Sequence, residues 1–259
     1  MPDPSFLDTT HLRRLAYHRI AAAPARDVTL PGRPPGIVFL GGFRSDMTGT
    51  KAVFLQDWAG ARGLGFVRFD YSGHGQSSGA FEDGAIGDWA DDALDVLEAL
   101  TDGPQILVGS SMGGWIALLL ARARPDRVHA LVGIAAAPDF TEDAMWAQFD
   151  AEQRRALTEA GAVELPSEYA DEPYVITRRL IEEGRDRLVL RTPLPLPMPV
   201  RLLHGTADAD VEVAVPLRLL AHADAADMRL TLVKGADHRF SSAEALALLG
   251  QTIENLLLD

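Results

Sequence analysis

Short apolar runs recur along this chain and alternate with longer stretches whose apolar positions fall three and four residues apart. Ile37 to Gly41, Gly65 to Asp70, Gln105 to Val108, Ala130 to Ile134, Val200 to Leu203 and Arg229 to Val233 are of the first kind and predict strands. Thr50 to Arg62, Gly87 to Leu100, Met112 to Ala123, Val213 to His222 and Ala243 to Leu257 have helical length or spacing. Strands apolar on both faces, alternating with helices, predict an α/β architecture with a mostly parallel central sheet and helices on both faces. Arg13 to Ala21 and Arg26 to Leu30 are expected to be antiparallel edge strands ahead of it.

The alternation breaks once. From 138 to 197 two helical patterns, Ala144 to Ala160 and Tyr174 to Glu183, follow each other with no strand between them. The expected organisation is a core of residues 1–137 and 198–259 carrying a small helical cap insertion, 138–197. An insertion after the C-terminal end of a strand sits over the place where such sheets bind ligands. Met145, Trp146 and Phe149, with Trp115, Tyr169 and Tyr174, are the candidate substrate-pocket residues, although packing of the cap onto the body is the plainer role for most of them. Thr192 to Pro199 places four prolines at alternate positions, which excludes a helix and predicts an extended connector back to the sheet.

Composition adds limits. At 259 residues and 47% hydrophobic, the chain can bury a sizeable core. No apolar run approaches the roughly 18 residues of a membrane span. A net charge of −13 repels phosphate backbones, so nucleic acid is not an expected partner. Cysteine is absent, which removes disulfides, thiolate ligands and a cysteine nucleophile. Met1 to Thr10 carries two aspartates and no apolar stretch, unlike a signal or transit peptide; together these features lead to the expectation of a cytoplasmic protein. Nothing in the pattern specifies an oligomeric state.

The chemistry concentrates at Gly109-Ser110-Ser111-Met112-Gly113, a Gly-x-Ser-x-Gly turn between a predicted strand and a predicted helix. That context pushes the Ser111 hydroxyl out above the sheet edge and aims the Met112 N–H at an oxyanion formed beside it. Ser110 fits the glycine spacing less well. A serine nucleophile needs an imidazole held by a carboxylate. His238 lies in the polar loop between the last predicted strand and helix, where the third member falls in the order Ser, Asp, His. His74, in a glycine-rich loop, is second choice, and His204, at a strand end, suits a structural or positioning role. Asp208 stands where a His-Gly-x-x-Asp pattern puts the carboxylate; Asp210 is the nearby alternative. Gly41-Gly42-Phe43 follows the first parallel strand, making the Phe43 N–H the candidate second oxyanion donor. No Gly-Lys-Ser/Thr follows it, so a phosphate loop is disfavoured.

These segments, in this order, resemble the α/β-hydrolase superfamily over nearly the whole chain. More narrowly, Gly42 to Ala52, Arg68 to Gly73, Gly103 to Ser111, Arg201 to Gly205 and Asp237-His238-Arg239 resemble the family of α/β-hydrolase-domain protein ten. The resemblance implies the α/β-hydrolase fold, a Ser111–Asp208–His238 triad, oxyanion donors at Met112 and Phe43, and acyl-protein thioesterase or acyl-glucuronide esterase chemistry. Gly41 departs from the histidine many superfamily members carry, and Glu212 from a frequent proline. The expected activity is therefore hydrolysis of carboxylic esters or thioesters of small or lipid-like acylated substrates, without metal or organic cofactor. A cofactor-free haloperoxidase or perhydrolase, a serine peptidase and a non-catalytic ligand receptor are the alternatives on the same fold.

Overall fold

The computed structural model of the chain describes residues 3–23, 34–165 and 173–258. Its strands are β1 (Ser5–Asp8), β2 (Arg14–Ile20), β3 (Ile37–Leu40), β4 (Phe66–Phe69), β5 (Gln105–Ser110), β6 (Val128–Ile134), β7 (Ala162–Leu165), β8 (Tyr174–Thr177), β9 (Val200–Gly205) and β10 (Met228–Val233). The helices are α1 (Thr50–Ala61), α2 (Ile86–Leu100), α3 (Met112–Ala123), α4 (Ala151–Glu159), α5 (Arg178–Arg185), α6 (Ala214–His222) and α7 (Ala243–Leu258). Eight strands form one sheet in the order β1-β2-β4-β3-β5-β6-β9-β10. β1 and β2 run antiparallel at one edge, and everything from β4 to β10 is parallel. The mostly parallel sheet expected from the alternation is present, with β1 as an additional edge strand. Arg26 to Leu30 lies outside the described residues.

The period-2 geometry of a strand explains the two-sided core. In β3, Ile37 and Phe39 pack with α1 and α7 on one face, and Val38 and Leu40 with α2 and α3 on the other. β5 divides the same way, Ile106 and Val108 against Leu107. α2 is amphipathic, burying Ile86, Trp89, Ala93, Val96 and Leu97, whereas α3 is apolar almost all round and buried from Met112 to Ala121. From β3 the chain first adds β4 on one side and then β5 on the other. The loops leaving β3 and β5 therefore diverge at a topological switch point, which opens a crevice at the carboxyl ends of the strands.

Between β6 and β9 the segment differs from the two helices expected there. A π-helical turn, Thr141–Trp146, comes first, and α4 starts separately behind Asp150. The Asp150 carboxylate accepts the Glu152 and Gln153 N–H groups while the Gln153 side chain accepts the Asp150 N–H, a reciprocal cap that restarts the helix. Tyr174 to Thr177 is the strand β8, paired antiparallel with β7, and α5 begins only after Thr177 caps Leu180. Val175, Ile176 and Thr177 are β-branched and favour the extended chain. The proline connector is extended as expected, with Leu194, Leu196 and Met198 buried and the prolines between them turned outward. Among the described residues no helix is long and apolar enough to cross a membrane.

Asp139 stitches this segment to the body. Its side chain is fully buried, and its carboxylate accepts the N–H groups of Val189 (2.7 Å) and Leu190 (3.0 Å) and the Arg191 guanidinium (2.8 Å). Arg191 also pairs with Asp143, which in turn holds Arg218 on α6. Replacing Asp139 with alanine leaves two buried N–H groups unpaired and is expected to lower stability by about 3 kcal/mol. Urea unfolding measures this; an unchanged midpoint would show that the stitch is not structural.

Candidate active site

Ser111 stands between β5 and α3 with φ 54° and ψ −118°, in the half of backbone space that side chains avoid. Two glycines make the turn sterically feasible. A Cβ on Gly113 would lie 2.1 Å from the Leu40 carbonyl oxygen, and one on Gly109 would lie 2.2 Å from the Gly113 carbonyl oxygen. The turn is held by the Ser111 N–H donating to Ile134 O (2.9 Å), and by Ser111 O accepting the N–H groups of Gly114 (2.9 Å) and Ala137 (3.1 Å).

His238, between β10 and α7, brings Nε2 to 3.1 Å from Ser111 Oγ. Its Nδ1 lies 2.9 and 3.1 Å from the two carboxylate oxygens of Asp208. With Nδ1–H donated to a carboxylate, Nε2 keeps the lone pair that accepts the serine proton. Asp208, whose side chain is fully buried, also accepts the N–H groups of Asp210 (3.0 Å) and Val211 (2.8 Å). Burial opposes its ionisation, but the His238 imidazole and these N–H groups prevail and hold the carboxyl below its usual value. Asp210 lies alongside; Asp208, Asp210 and His238 each offer a ligand atom within 4.8 Å of the others. Because Asp208 and His238 engage each other, that trio is poorly disposed to hold a cation. His204 Nε2–H donates to Val211 O (2.9 Å) and so props the same loop from below.

The loop after β3 lies against the serine turn, Gly42 being so close that an added Cβ would sit 3.5 Å from Ser111 Cβ. Neither the Phe43 N–H nor the Met112 N–H finds a hydrogen-bond partner among the described residues, which leaves both donors for a ligand. The loop is fixed from behind by groups the sequence did not reveal in this role. His74 accepts the Arg44 N–H at Nε2 (3.2 Å) and donates Nδ1–H to Ser72 O (3.1 Å). It is thus a bracket for this loop and not a base for Ser111. Burial lowers His74 to about 4, the Arg44 charge adding to it against the pull of the Ser72 carbonyl. Asp70 accepts the N–H groups of Met47 (2.6 Å) and Gln76 (2.9 Å), tying the loops after β3 and β4 together. The Phe43 ring packs edge-on against Phe81 at 4.9 Å and Phe140 at 5.6 Å.

Above Ser111 and His238 opens a cavity of about 730 Å³. Its lining is apolar at Phe43, Phe140, Met145, Phe149, Leu165 and Tyr174 and polar or charged at Arg44, Lys51, Asp210 and Arg239, with the Arg44 guanidinium 5.0 Å over the Tyr174 ring. Two expected pocket residues are elsewhere. Trp115 is fully buried against Phe140 and donates its indole N–H to Arg187 O (3.2 Å). Trp146 turns away from the cavity, and its ring is covered by Arg154 and Arg185. Tyr169 lies outside the described residues.

Comparison with known proteins gives a consistent picture. The family described as alpha/beta hydrolase fold matches residues 52–171. Curated relatives from Bos taurus and Homo sapiens, each named palmitoyl-protein thioesterase ABHD10, mitochondrial, are 37% identical over 254 residues, covering 98% of this chain and 79% of theirs. A putative hydrolase from Agrobacterium vitis S4 superimposes with a TM-score of 0.92 at 39% identity, covering 99% of this chain and 100% of the other. Mouse alpha/beta hydrolase domain-containing protein 10 superimposes with a TM-score of 0.86 at 37% identity, covering 99% and 98%. The cytoplasmic location expected from the sequence is contradicted by the curated relatives, which are mitochondrial proteins by name.

The His74 bracket has a pH signature. Its folded pKa, about 4, lies below the ordinary imidazole value of 6.5, so the folded protein binds the proton less readily than the unfolded chain. Its contribution is intact above pH 6.5 and is lost as pH falls toward 4, a change of about 3 kcal/mol. Urea unfolding at pH 7 and pH 4.5 should show a shallower acid loss in His74→Gln than in the wild type. Parallel losses would place the acid sensitivity elsewhere.

Proposed function

The chain belongs to the α/β-hydrolase fold family and, within it, to the family of the ABHD10 palmitoyl-protein thioesterases, and on that premise we propose that it hydrolyses carboxylic esters or thioesters of acylated substrates through Ser111, His238 and Asp208. The observation that carries the proposal is the unbroken line from Asp208 Oδ2 through the His238 ring to Ser111 Oγ, 2.9 and 3.1 Å, beneath a cavity with several apolar side chains in its lining.

Ser111 Oγ attacks the acyl carbonyl carbon as its proton passes to His238 Nε2. Asp208 holds the Nδ1–H and stabilises the imidazolium that forms. The carbonyl oxygen becomes an oxyanion facing the unengaged N–H groups of Phe43 and Met112, each contributing roughly 3 kcal/mol to the transition state. His238 then gives its proton to the departing alcohol or thiol, leaving an acyl-serine. Water, deprotonated by the same imidazole, attacks that ester; collapse of the second tetrahedral intermediate releases the carboxylic acid and restores Ser111. The acyl chain lies along Phe43, Phe140, Met145, Phe149, Leu165 and Tyr174, and the leaving group toward Lys51 and Arg239. The relatives' names support a thioester bond and a long acyl group, which a cavity of this size and lining suits.

Ser111→Ala should abolish both p-nitrophenyl ester hydrolysis and labelling by a fluorophosphonate probe; persistent labelling of that variant would overturn the assignment. A series of oxygen and sulfur esters matched in acyl length then reads the preferred bond and chain. Asp208→Asn should lower kcat by roughly 10⁴-fold through the wrong imidazole tautomer. Asp210→Asn, which keeps its backbone N–H on Asp208, should stay within a few-fold of wild type. A reversal of these two effects would reassign the carboxylate.

A further inference from the structure

Lys51 belongs to the first turn of α1, yet its ammonium donates to the carbonyl oxygen of Arg239, 188 residues further along the chain. Arg239 directly follows His238. α1 follows the loop that carries Phe43, so this bond joins the chain segment of the candidate oxyanion donor to that of the candidate base. Other hydrogen bonds of the His238 loop run in different directions. Gly235 N–H donates to Thr206 Oγ1 (2.9 Å), Ala207 N–H donates to Ala236 O (3.0 Å), Phe240 N–H turns back on Asp237 Oδ1 (3.1 Å), and Ser241 Oγ–H donates to the same Arg239 carbonyl from within the loop (2.8 Å). These ties anchor the loop to the end of β9 or to itself. Phe240, with φ 48° and its ring buried against the α1–α7 face, marks a sharp turn immediately after the bond.

We propose that Lys51 is a positioning residue for His238, holding the imidazole in line with Ser111 by clamping the Arg239 carbonyl to α1. The inference rests on the reading of Ser111 and His238 as nucleophile and base. Lys51 also lines the cavity, so the clamp sits at the edge of the space the leaving group occupies. Burial draws Lys51 down to about 8, opposed by the nearby Asp237 carboxylate and reinforced by the Arg239 guanidinium. A cation kept half out of water at this position is consistent with a bond to a carbonyl that must not move. A lysine serving only solubility would extend into solvent.

The test compares Lys51→Met and Lys51→Arg in the full chain with p-nitrophenyl esters of two acyl lengths. Lys51→Met should lower kcat by roughly 10- to 100-fold with KM within about two-fold for both esters, and slow fluorophosphonate labelling of Ser111 in parallel. Lys51→Arg, which keeps a charged donor, should recover most of the rate. Unchanged kcat in Lys51→Met, or a raised KM with kcat intact, overturns the proposal, the latter by making Lys51 a substrate contact. Should Lys51→Met fail to fold, Lys51→Gln, a neutral donor, takes its place and should fall between the two. Wild-type protein that neither hydrolyses the esters nor labels at Ser111 would overturn the hydrolase reading, and this proposal with it. Wild-type turnover with an unaffected Lys51→Met would overturn this proposal alone.

Discussion

The site depends on backbone packed against backbone at the start of α3. Gly113 lies so close to the end of β3 that a methyl group would overlap the Leu40 carbonyl, and Gly114 so close to Ala136 that its own Cβ would fall 2.5 Å from that side chain. One helix terminus thereby gathers the ends of β3, β5 and β6 within a few ångströms. The left-handed backbone of Ser111 follows from this closeness, because the chain must reverse from strand to helix with no room for a wider turn. The Met112 N–H, at a helix N-terminus with no intrahelical partner, and the Phe43 N–H, on the adjoining loop, converge for the same reason. Candidate nucleophile and candidate donors are thus set by one steric constraint.

Polar loops at the strand ends need a second kind of support, supplied by buried carboxylates. Asp70, Asp92 and Asp139 each bind backbone N–H groups of loops, and burial raises all three above the usual carboxylate range despite those bonds. Asp208 likewise accepts N–H groups, yet it is held below its usual value. Burial acts against ionisation in every case; Asp208 as a residue is less deeply buried than the other three and has the His238 ring as an added partner. A carboxylate that stays ionised beside an imidazole is suited to steady the imidazolium while a proton is in transit. The same residue type thus performs structural work at three positions, and its environment singles out the fourth.

Much of this was legible in the sequence, for identifiable reasons. Period-2 apolar runs such as Ile37 to Leu40, and the glycines about Ser111, encode constraints that act within a few residues, and these gave the sheet and the turn. The order of Ser111, Asp208 and His238 follows from the order of the parallel strands, so three distant residues could be nominated together. The tryptophans failed for a different reason. α3 is apolar on nearly every side, so periodicity could not say that Trp115 faces Arg187 and not the cavity. Trp146 sits on a π-helical turn, where the spacing of an α-helix misassigns the face. β8 reads as helix in the sequence because its apolar residues run directly into α5. His74 and Lys51 left no local signal as brackets, since each acts on a backbone group 30 or more residues away.

The arrangement divides the cavity between two parts of the chain. Ser111, Asp208 and His238 come from loops at the strand ends, whereas five of the six apolar residues named in the lining, Phe140, Met145, Phe149, Leu165 and Tyr174, come from the segment between β6 and β9. Changes in that segment from Phe140 onward alter what fits above the serine while leaving in place the Ala136 and Ala137 contacts that hold the turn. Phe43 is where the two parts meet. Its N–H is the candidate oxyanion donor, while its ring packs against Phe140 and Tyr174, at 5.6 and 6.4 Å. An acyl chain that displaces those rings therefore pushes directly on a candidate oxyanion donor. On the proposed reading, the fit of the acyl chain and the stabilisation of the transition state are coupled through Phe43, whose neighbour Arg44 is held by His74.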